Sequence, residues 1–337
     1  MNTKVLAADA AGIGKAADIL RAGGVVAFPT ETVYGLGADA TRAEPVARLF
    51  EAKGRPKFDP VIVHVASAAD AEPLWTEVPA RARALMESFW PGPLTLVLPK
   101  SRRVPPLITA GLPTLAVRMP DHPVALALIT ESGCPVAAPS ANRFGRPSPT
   151  HHEHVLEFLG GAIEAVLAAG PTPVGIESTV VSLCEDPPRV LRPGGVPLEA
   201  LQEVLGELNV SPPDGPSPSP GNLPRHYVPS TPLFLLQPGP SPRSGEKLPR
   251  PRCGFLAFQR RWHDFARVEV LSPSGDLRAA AARFFSAVHE LDRANLAAIV
   301  AEPLPEQGLG TAIMDRLRRA ASGQAYLDER WVWISRL

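Results

Sequence analysis

Thirteen of the forty residues from Pro212 to Pro251 are proline. Proline fixes φ and removes a backbone donor, so such a stretch holds neither long helices nor central strands. It reads as an extended connector of polyproline-like stiffness, and it divides the chain. A length of 337 residues suits two domains, each with its own core. The expected division is a first domain at 1–208, a linker at 209–230 and a second domain at 231–337.

Ahead of the connector, helix-like and strand-like segments follow one another irregularly. Residues 13–21 are amphipathic and stop at Gly23-Gly24, and 25–28 form a short apolar strand. Residues 44–52 read as a helix with Pro45 in its first turn and Gly54 beyond its end. Apolar runs at 61–65, 94–98, 115–117, 136–138, 180–183 and 190–191 predict strands, and 80–89, 123–130, 151–159 and 198–205 predict helices. This order predicts an α/β domain on a mixed sheet. After the connector, strands at 233–236, 254–258, 268–271 and 296–300 and helices at 277–291 and 314–321 predict a small parallel, Rossmann-like α/β domain.

Apolar residues make up 45% of the chain and charged residues 20%, the balance of a soluble globular protein. A net charge of zero gives no global field for nucleic acid or anionic membrane, but leaves room for a local basic pocket. Cys134, Cys184 and Cys253 have no metal-type spacing and are expected to be buried and reduced in the cytoplasm. The apolar stretch at 5–9 is too short for a signal peptide, and no apolar run approaches the ~20 residues of a membrane helix.

Chemistry concentrates at the strand ends. Lys53-Gly54-Arg55-Pro56 sets a point charge and a planar fork one residue apart, a pair that a turning segment can bring to one anion. His64, Arg118, Ser140 with Asn142, Ser178 with Thr179, and Arg192 each interrupt or flank an apolar run. One such residue is ordinarily a solvated strand end, and one arginine a surface ion pair. Five cases in one domain imply a shared cavity, because an unpartnered buried polar group costs about 1–3 kcal/mol. Lys53, Arg55, Arg118 and Arg192 would line it without a carboxylate cluster, and Ser140, Ser148 and Ser178 would add neutral donors. Such a set suits a polyanion such as a nucleoside triphosphate. Residues 12–16 lack the glycine and hydroxyl of a P-loop, and no Gly-x-Gly-x-x-Gly follows a strand. Thr150-His151-His152-Glu153 reads as a capping box, and its consecutive histidines are expected to point apart.

A series of motifs then carries a family resemblance: 29–37 (Pro-Thr-Glu-Thr-Val-Tyr-Gly-Leu-Gly), 53–56, 60–65, 90–95, 117–120, 139–142, 177–180 and 191–194, with 308–317 near the end of the chain. In this order they resemble the YrdC-type L-threonylcarbamoyladenylate synthases in their long two-domain form. The resemblance implies a twisted, mostly open mixed sheet around a large basic cavity. It implies condensation of L-threonine, bicarbonate and ATP, with Mg²⁺, to threonylcarbamoyl-AMP and pyrophosphate. Partner proteins then transfer the threonylcarbamoyl group to tRNA. By the same resemblance Thr32, His64, Arg118 and Ser178 contact threonine. Lys53, Arg55, Thr114, Ser140, Asn142, Ser148 and Arg192 surround the nucleotide, with Lys53, Arg55, Ser140 and Asn142 nearest the chemistry. Asp59 stands where asparagine is commoner, and either binds the metal or turns away. Residues 220–227 resemble the family's linker, expected to close over the cavity with Tyr227 near the nucleotide. Two rivals stay open: an RNA-binding module without ATP turnover, and a carbamoyl-transfer accessory domain, whose zinc-finger cysteines are missing here. Arg316, Arg318 and Arg319 form either a partner face or a solvated helix face.

Overall fold

Gly54 closes a helix in the left-handed conformation (φ 62), a turn that costs glycine little, and so decides where the residues after it point. The computed structural model describes residues 2–211, 223–240 and 246–336. The chain divides into two units, Met1–Phe144 with Ser148–Asn222, and Gly145–Pro147 with Leu223–Leu337. Positions 212–222, including much of the expected linker, lie outside the described residues.

The first unit is built on strands β1 (Lys4–Ala7), β2 (Val26–Phe28), β3 (Gly35–Asp39), β4 (Val63–His64), β5 (Leu94–Pro99), β6 (Thr114–Arg118), β7 (Val136–Ala137), β8 (Ala165–Ala168), β9 (Thr179–Ser182) and β10 (Arg189–Arg192). They form one mixed sheet in the order β1-β8-β2-β3-β7-β4-β6-β5-β9-β10. The expected mixed sheet is therefore present, with β4/β6 and β5/β9 parallel and β5/β6 and β9/β10 antiparallel. Its helices are α1 (Ala10–Arg21), α2 (Ala43–Lys53), α3 (Ala68–Ala71), α4 (Ala80–Phe89), α5 (Pro123–Ser132), α6 (His152–Leu159) and α7 (Leu198–Leu205). Helix α5 shows the local logic: the His122 ring accepts from the amide of Val124, Pro123 opens the helix, and Gly133 ends it at φ 68.

Alternation along the strands sorts the core. Leu96, Val117, Val63 and Val181 pack with Leu49, Phe50, Leu85 and Leu201 from α2, α4 and α7. Helices α1 and α5 cover Val26, Phe28, Val136 and Leu167 elsewhere in the sheet. The other face of β4, β6, β5, β9 and β10 carries only a small apolar group: Ile62, Val97, Ala116, Val180 and Leu191. By parity His64, Thr95 and Arg118 lie on that face too. A bulge in β10 sets both Val190 and Arg192 against consecutive residues of β9, with Arg192 opposite Val180. The bulge turns Arg192 toward the same face.

The second unit holds β11 (Leu233–Leu236), β12 (Glu246–Pro249), β13 (Cys253–Ala257), β14 (Arg267–Val270), α8 (Leu277–Asp292), β15 (Ala298–Ala301), α9 (Leu309–Ala320), β16 (Gly323–Leu327) and β17 (Trp331–Arg336). Its sheet, β12-β17-β16-β11-β15-β13-β14, corrects the expected all-parallel, Rossmann-like domain. Five strands are parallel, but β17 runs antiparallel to both β16 and β12. A tight connection from β16 returns the chain beside it as a hairpin, which a crossover helix would not do. Arg316 is 0% exposed on α9, so it is not part of a partner face. Arg318 is paired with Glu306, and Arg319 with Asp315. Only Cys253 is buried; Cys134 is half-buried and Cys184 exposed, against the expected three buried thiols. Among the described residues no helix is long and apolar enough to cross a membrane.

Gly194 packs so closely that a Cβ there would lie 2.3 Å from the carbonyl oxygen of Glu177 and from the carbonyl carbon of Ser178. Gly194→Ala is expected to lower the unfolding free energy by about 1–3 kcal/mol, read from the denaturant midpoint. An unchanged midpoint would show that this backbone yields freely.

Candidate active site

Four buried cations stand on or beside the open face, and backbone carbonyls hold each of them. Lys53 is the last residue of α2, and its ammonium donates to the carbonyls of Ser140 and Asn142. The left-handed turn at Gly54 brings Arg55 back toward the same region. Its Nε donates to the Asp59 carbonyl (3.0 Å), and its Nη2 donates to the Pro60 carbonyl (2.6 Å) and pairs with Asp59 Oδ2 (2.8 Å). The rings of Phe50 and Phe144 flank it at 5.8 and 6.0 Å.

Arg118 ends β6 opposite His64 of β4. Its Nε donates to the Gly92 carbonyl (3.1 Å), Nη1 to Thr32 Oγ1 (2.9 Å), and Nη2 pairs with Glu31 Oε1 at 2.5 Å. Thr32 shares a hydrogen bond with Thr30 (2.8 Å). Arg192 donates from Nε and Nη2 to the Ser178 carbonyl (3.2 and 2.9 Å) and from Nη2 to Ser178 Oγ (3.2 Å). Ser178 Oγ in turn meets Thr95 Oγ1 at 2.8 Å. Ser140 Oγ donates to Asn142 Oδ1, and Ser148 Oγ donates to Glu177.

The charges share one field. Burial pushes the Asp59 carboxyl above its usual range, while Arg55, Lys53 and Arg192 pull it back. Burial, then Arg55, drives the Lys53 ammonium well below its usual range, opposed by Asp59. Burial, then Arg118, lowers the His64 imidazole to about 3, so it is neutral near pH 7. The His64 ring sits edge-on to Phe28.

Lys53, Arg55, Asp59 and Arg192 are thus brought together, as are Thr32, His64 and Arg118, and Ser178 bonds to Arg192. Thr114 opens β6 on the same face as Arg118 by alternation, about 13 Å from it at strand spacing. Tyr227 belongs to the second unit, where it is buried at φ 63 against His226, Phe285 and the Arg316 guanidinium. No carboxylate cluster was expected beside the cations; beyond Asp59, which the resemblance had placed here, Glu31 and Glu177 are also buried. Cations taken out of water need counter-charge as well as carbonyls. The signal for Glu31 and Glu177 was an acid set beside hydroxyl residues inside apolar motifs. Asp59 lies against Arg55.

The histidine segment starts a helix, but without the capping box: the N-cap is His151, and no side chain caps the helix. Glu153 Oε2 instead meets His151 Nδ1 (2.7 Å) and His152 Nδ1 (3.2 Å), and the two rings lie 6.0 Å apart instead of diverging. A separate cavity of about 650 Å³, lined in part by Thr41, Ser67, Asp70, Arg103 and Cys134, includes none of the buried cations or of the groups that hold them.

Fold and site together define a two-unit α/β protein whose first unit gathers the buried cations Lys53, Arg55, Arg118 and Arg192 with buried hydroxyls and carboxylates. The family described as "Telomere recombination", which groups Sua5, YciO and YrdC, matches residues 18–194. The family described as "Threonylcarbamoyl-AMP synthase, C-terminal domain" matches residues 196–322. The threonylcarbamoyl-AMP synthase of Pyrococcus abyssi is 45% identical over 316 residues, covering 91% of this chain and 93% of that one. That of Bacillus subtilis is 43% identical over 327 residues, covering 93% of each. The crystal structure of P. abyssi Sua5 complexed with L-threonine matches with a TM-score of 0.85 at 42% identity, over 93% of this chain and 95% of that one. The chain belongs to the Sua5-type threonylcarbamoyl-AMP synthase family.

The depressed His64 pKa carries a stability prediction. Between the usual imidazole value of 6.5 and about 3 the unfolded chain binds a proton that the folded one does not, so stability falls as pH falls through that window. The slope is at most about 1.4 kcal/mol per pH unit from this group. His64→Gln should flatten the stability–pH curve there. An unchanged curve in urea titrations at several pH values would show that His64 does not carry it.

Proposed function

We propose that this chain condenses L-threonine, bicarbonate and ATP to threonylcarbamoyl-AMP, pyrophosphate and water, with Lys53, Arg55 and Arg192 toward the phosphates and Arg118 toward the threonine carboxylate. The observation that carries this reading is the set of four buried cations, each already anchored by carbonyl oxygens. Carbonyls fix a guanidinium's orientation without cancelling its charge, so positive potential is pre-organised for anions. Family membership and the threonine-bound Pyrococcus structure support the same reading.

The chemistry runs in two bond-making steps. Threonine binds as an ammonium, and its proton passes to bicarbonate as that splits into CO₂ and water. The neutral amine then adds to the carbon of CO₂ and releases a second proton, giving an N-carboxylate. That carboxylate oxygen attacks the α-phosphorus of ATP as the bond to pyrophosphate breaks. Every species is anionic, so orientation and cationic stabilisation dominate over a strong base. Thr32, neutral His64 and Ser178 would seat threonine. Ser140, Asn142 and Ser148 would position the nucleotide, joined by Thr114 and by Tyr227 if the linker closes over the site. Such closure would exclude water from the labile carbamate. Asp59 is one carboxylate among three cations, a donor set that suits Mg²⁺ only as the companion of ATP; the ion would offset phosphate charge. The product would pass to a tRNA threonylcarbamoyl-transferase in the cytoplasm.

The buried cations also disfavour the RNA-binding rival, because a duplex backbone reaches exposed charges and these are not exposed. Pyrophosphate release from ATP that requires both threonine and bicarbonate tests the function. Arg55→Ala is expected to cut that release by roughly 100-fold or more. Turnover equal to the parent enzyme would remove Arg55 from its assigned place. Arg55→Ala with Asp59→Ala, which also deletes the stranded carboxylate, separates lost catalysis from lost stability.

A further inference from the structure

Glu31 is a buried group that the mechanism leaves unused. It is 4% exposed, between Thr30 and Thr32 in the turn that follows β2. The amide of Val174 donates to its backbone carbonyl and helps to fix it in place. Its Oε1 pairs with Nη2 of Arg118. Its Oε2 has no hydrogen-bond partner among the described residues. A buried carboxylate oxygen without a donor is expensive, and in a native site it calls for a missing one.

Arg118 also has capacity to spare. Of its five N–H groups, one from Nε goes to Gly92, one from Nη1 to Thr32, and one from Nη2 faces Glu31. The site therefore displays an arginine with free donors in contact with a carboxylate with a free acceptor. An α-amino acid carries the complementary pair, a carboxylate and an ammonium on one carbon. Other nearby acceptors are weaker candidates for the ammonium. Thr32 and Thr30 are neutral hydroxyls already bonded to each other, and His64 lies in the field of Arg118.

Resting on the proposed threonine site, we infer that Glu31 is a specificity-determining residue that receives the α-ammonium of the amino-acid substrate while Arg118 takes its carboxylate. The Arg118–Glu31 contact thus sets the two charges of a zwitterion side by side. A hydroxy acid of the same shape offers the carboxylate without the ammonium, and it would leave the Glu31 charge unanswered.

The test compares binding of L-threonine and of its α-hydroxy analogue, 2,3-dihydroxybutanoate of matching stereochemistry, to the full chain by calorimetry. The parent protein is expected to prefer threonine by roughly 10- to 100-fold, the range of a charged hydrogen bond. In Glu31→Gln, which keeps the shape and loses the charge, the preference should shrink below about 3-fold, with the hydroxy acid bound at least as well as before. Parent-like preference in Glu31→Gln overturns the inference even though threonine binds. Equal affinity of the parent protein for the two ligands overturns it as well. Absence of threonine binding to the parent protein removes the threonine reading and the inference with it. If Glu31→Gln does not fold, Glu31→Asp withdraws the charge by one methylene. It should weaken threonine and spare the hydroxy acid, and equal effects on both would refute the assignment.

Discussion

The first unit is organised around the cost of placing cations out of water. An unpaired buried charge costs several kcal/mol even after relaxation. Lys53, Arg55, Arg118 and Arg192 meet that cost mainly with peptide oxygens, from Ser140, Asn142, Asp59, Pro60, Gly92 and Ser178. Those oxygens are available because the chain stops pairing where they occur. Asp59 and Gly92 each precede a proline, which holds them extended and offers no N–H to a neighbouring strand. Prolines at strand ends therefore have a consequence beyond termination: they leave carbonyls that turn inward to cations.

Carbonyl anchoring also explains how a chain with no net charge can hold a basic site. Of the three buried carboxylates, Glu31 pairs with Arg118 and Asp59 with Arg55, while carbonyls hold Lys53 and Arg192. Asp59 feels Arg55, Lys53 and Arg192 at once, and Glu177 accepts from the hydroxyl of Ser148. Carbonyl oxygens give each of the four cations a fixed direction. A polyanion entering such a site finds its partners already oriented, and little of its binding energy is lost in reorganisation.

The legible parts of the fold were those that glycine and proline punctuate. Helices α4 and α7 have the bounds that periodicity predicts, and α2 ends at Gly54. Strand β3 was not legible, since Gly35 and Gly37 lower its strand propensity. The structure needs that glycine: a Cβ at Gly37 would lie 2.8 Å from the Phe28 ring and 2.9 Å from Val136. The β16–β17 hairpin escaped notice because a short final strand next to a helix looks like one more parallel crossover. Of the site, the cations were visible as charges ending apolar runs. Glu31 was not, because an acid next to threonines reads equally well as a solvated turn. Arg316 misled in the other direction: its helical spacing suggests a surface, yet it is buried and stacked over the Tyr227 ring.

Register decides what spacing cannot. Sequence places Arg192 immediately after the apolar pair Val190-Leu191, and plain alternation would send it to the face opposite Leu191. The bulge in β10 sets Arg192 against Val180 instead, on the side where β4 and β6 present His64 and Arg118 as direct neighbours. From there its guanidinium holds the carbonyl and hydroxyl of Ser178, and that hydroxyl reaches Thr95 on β5. One extra residue in an edge strand thus joins a cation on β10 to the interior strands by hydrogen bonds. A strand without the bulge would point the same charge at the apolar layer of Val181 and Val190, where no carbonyl is free to receive it.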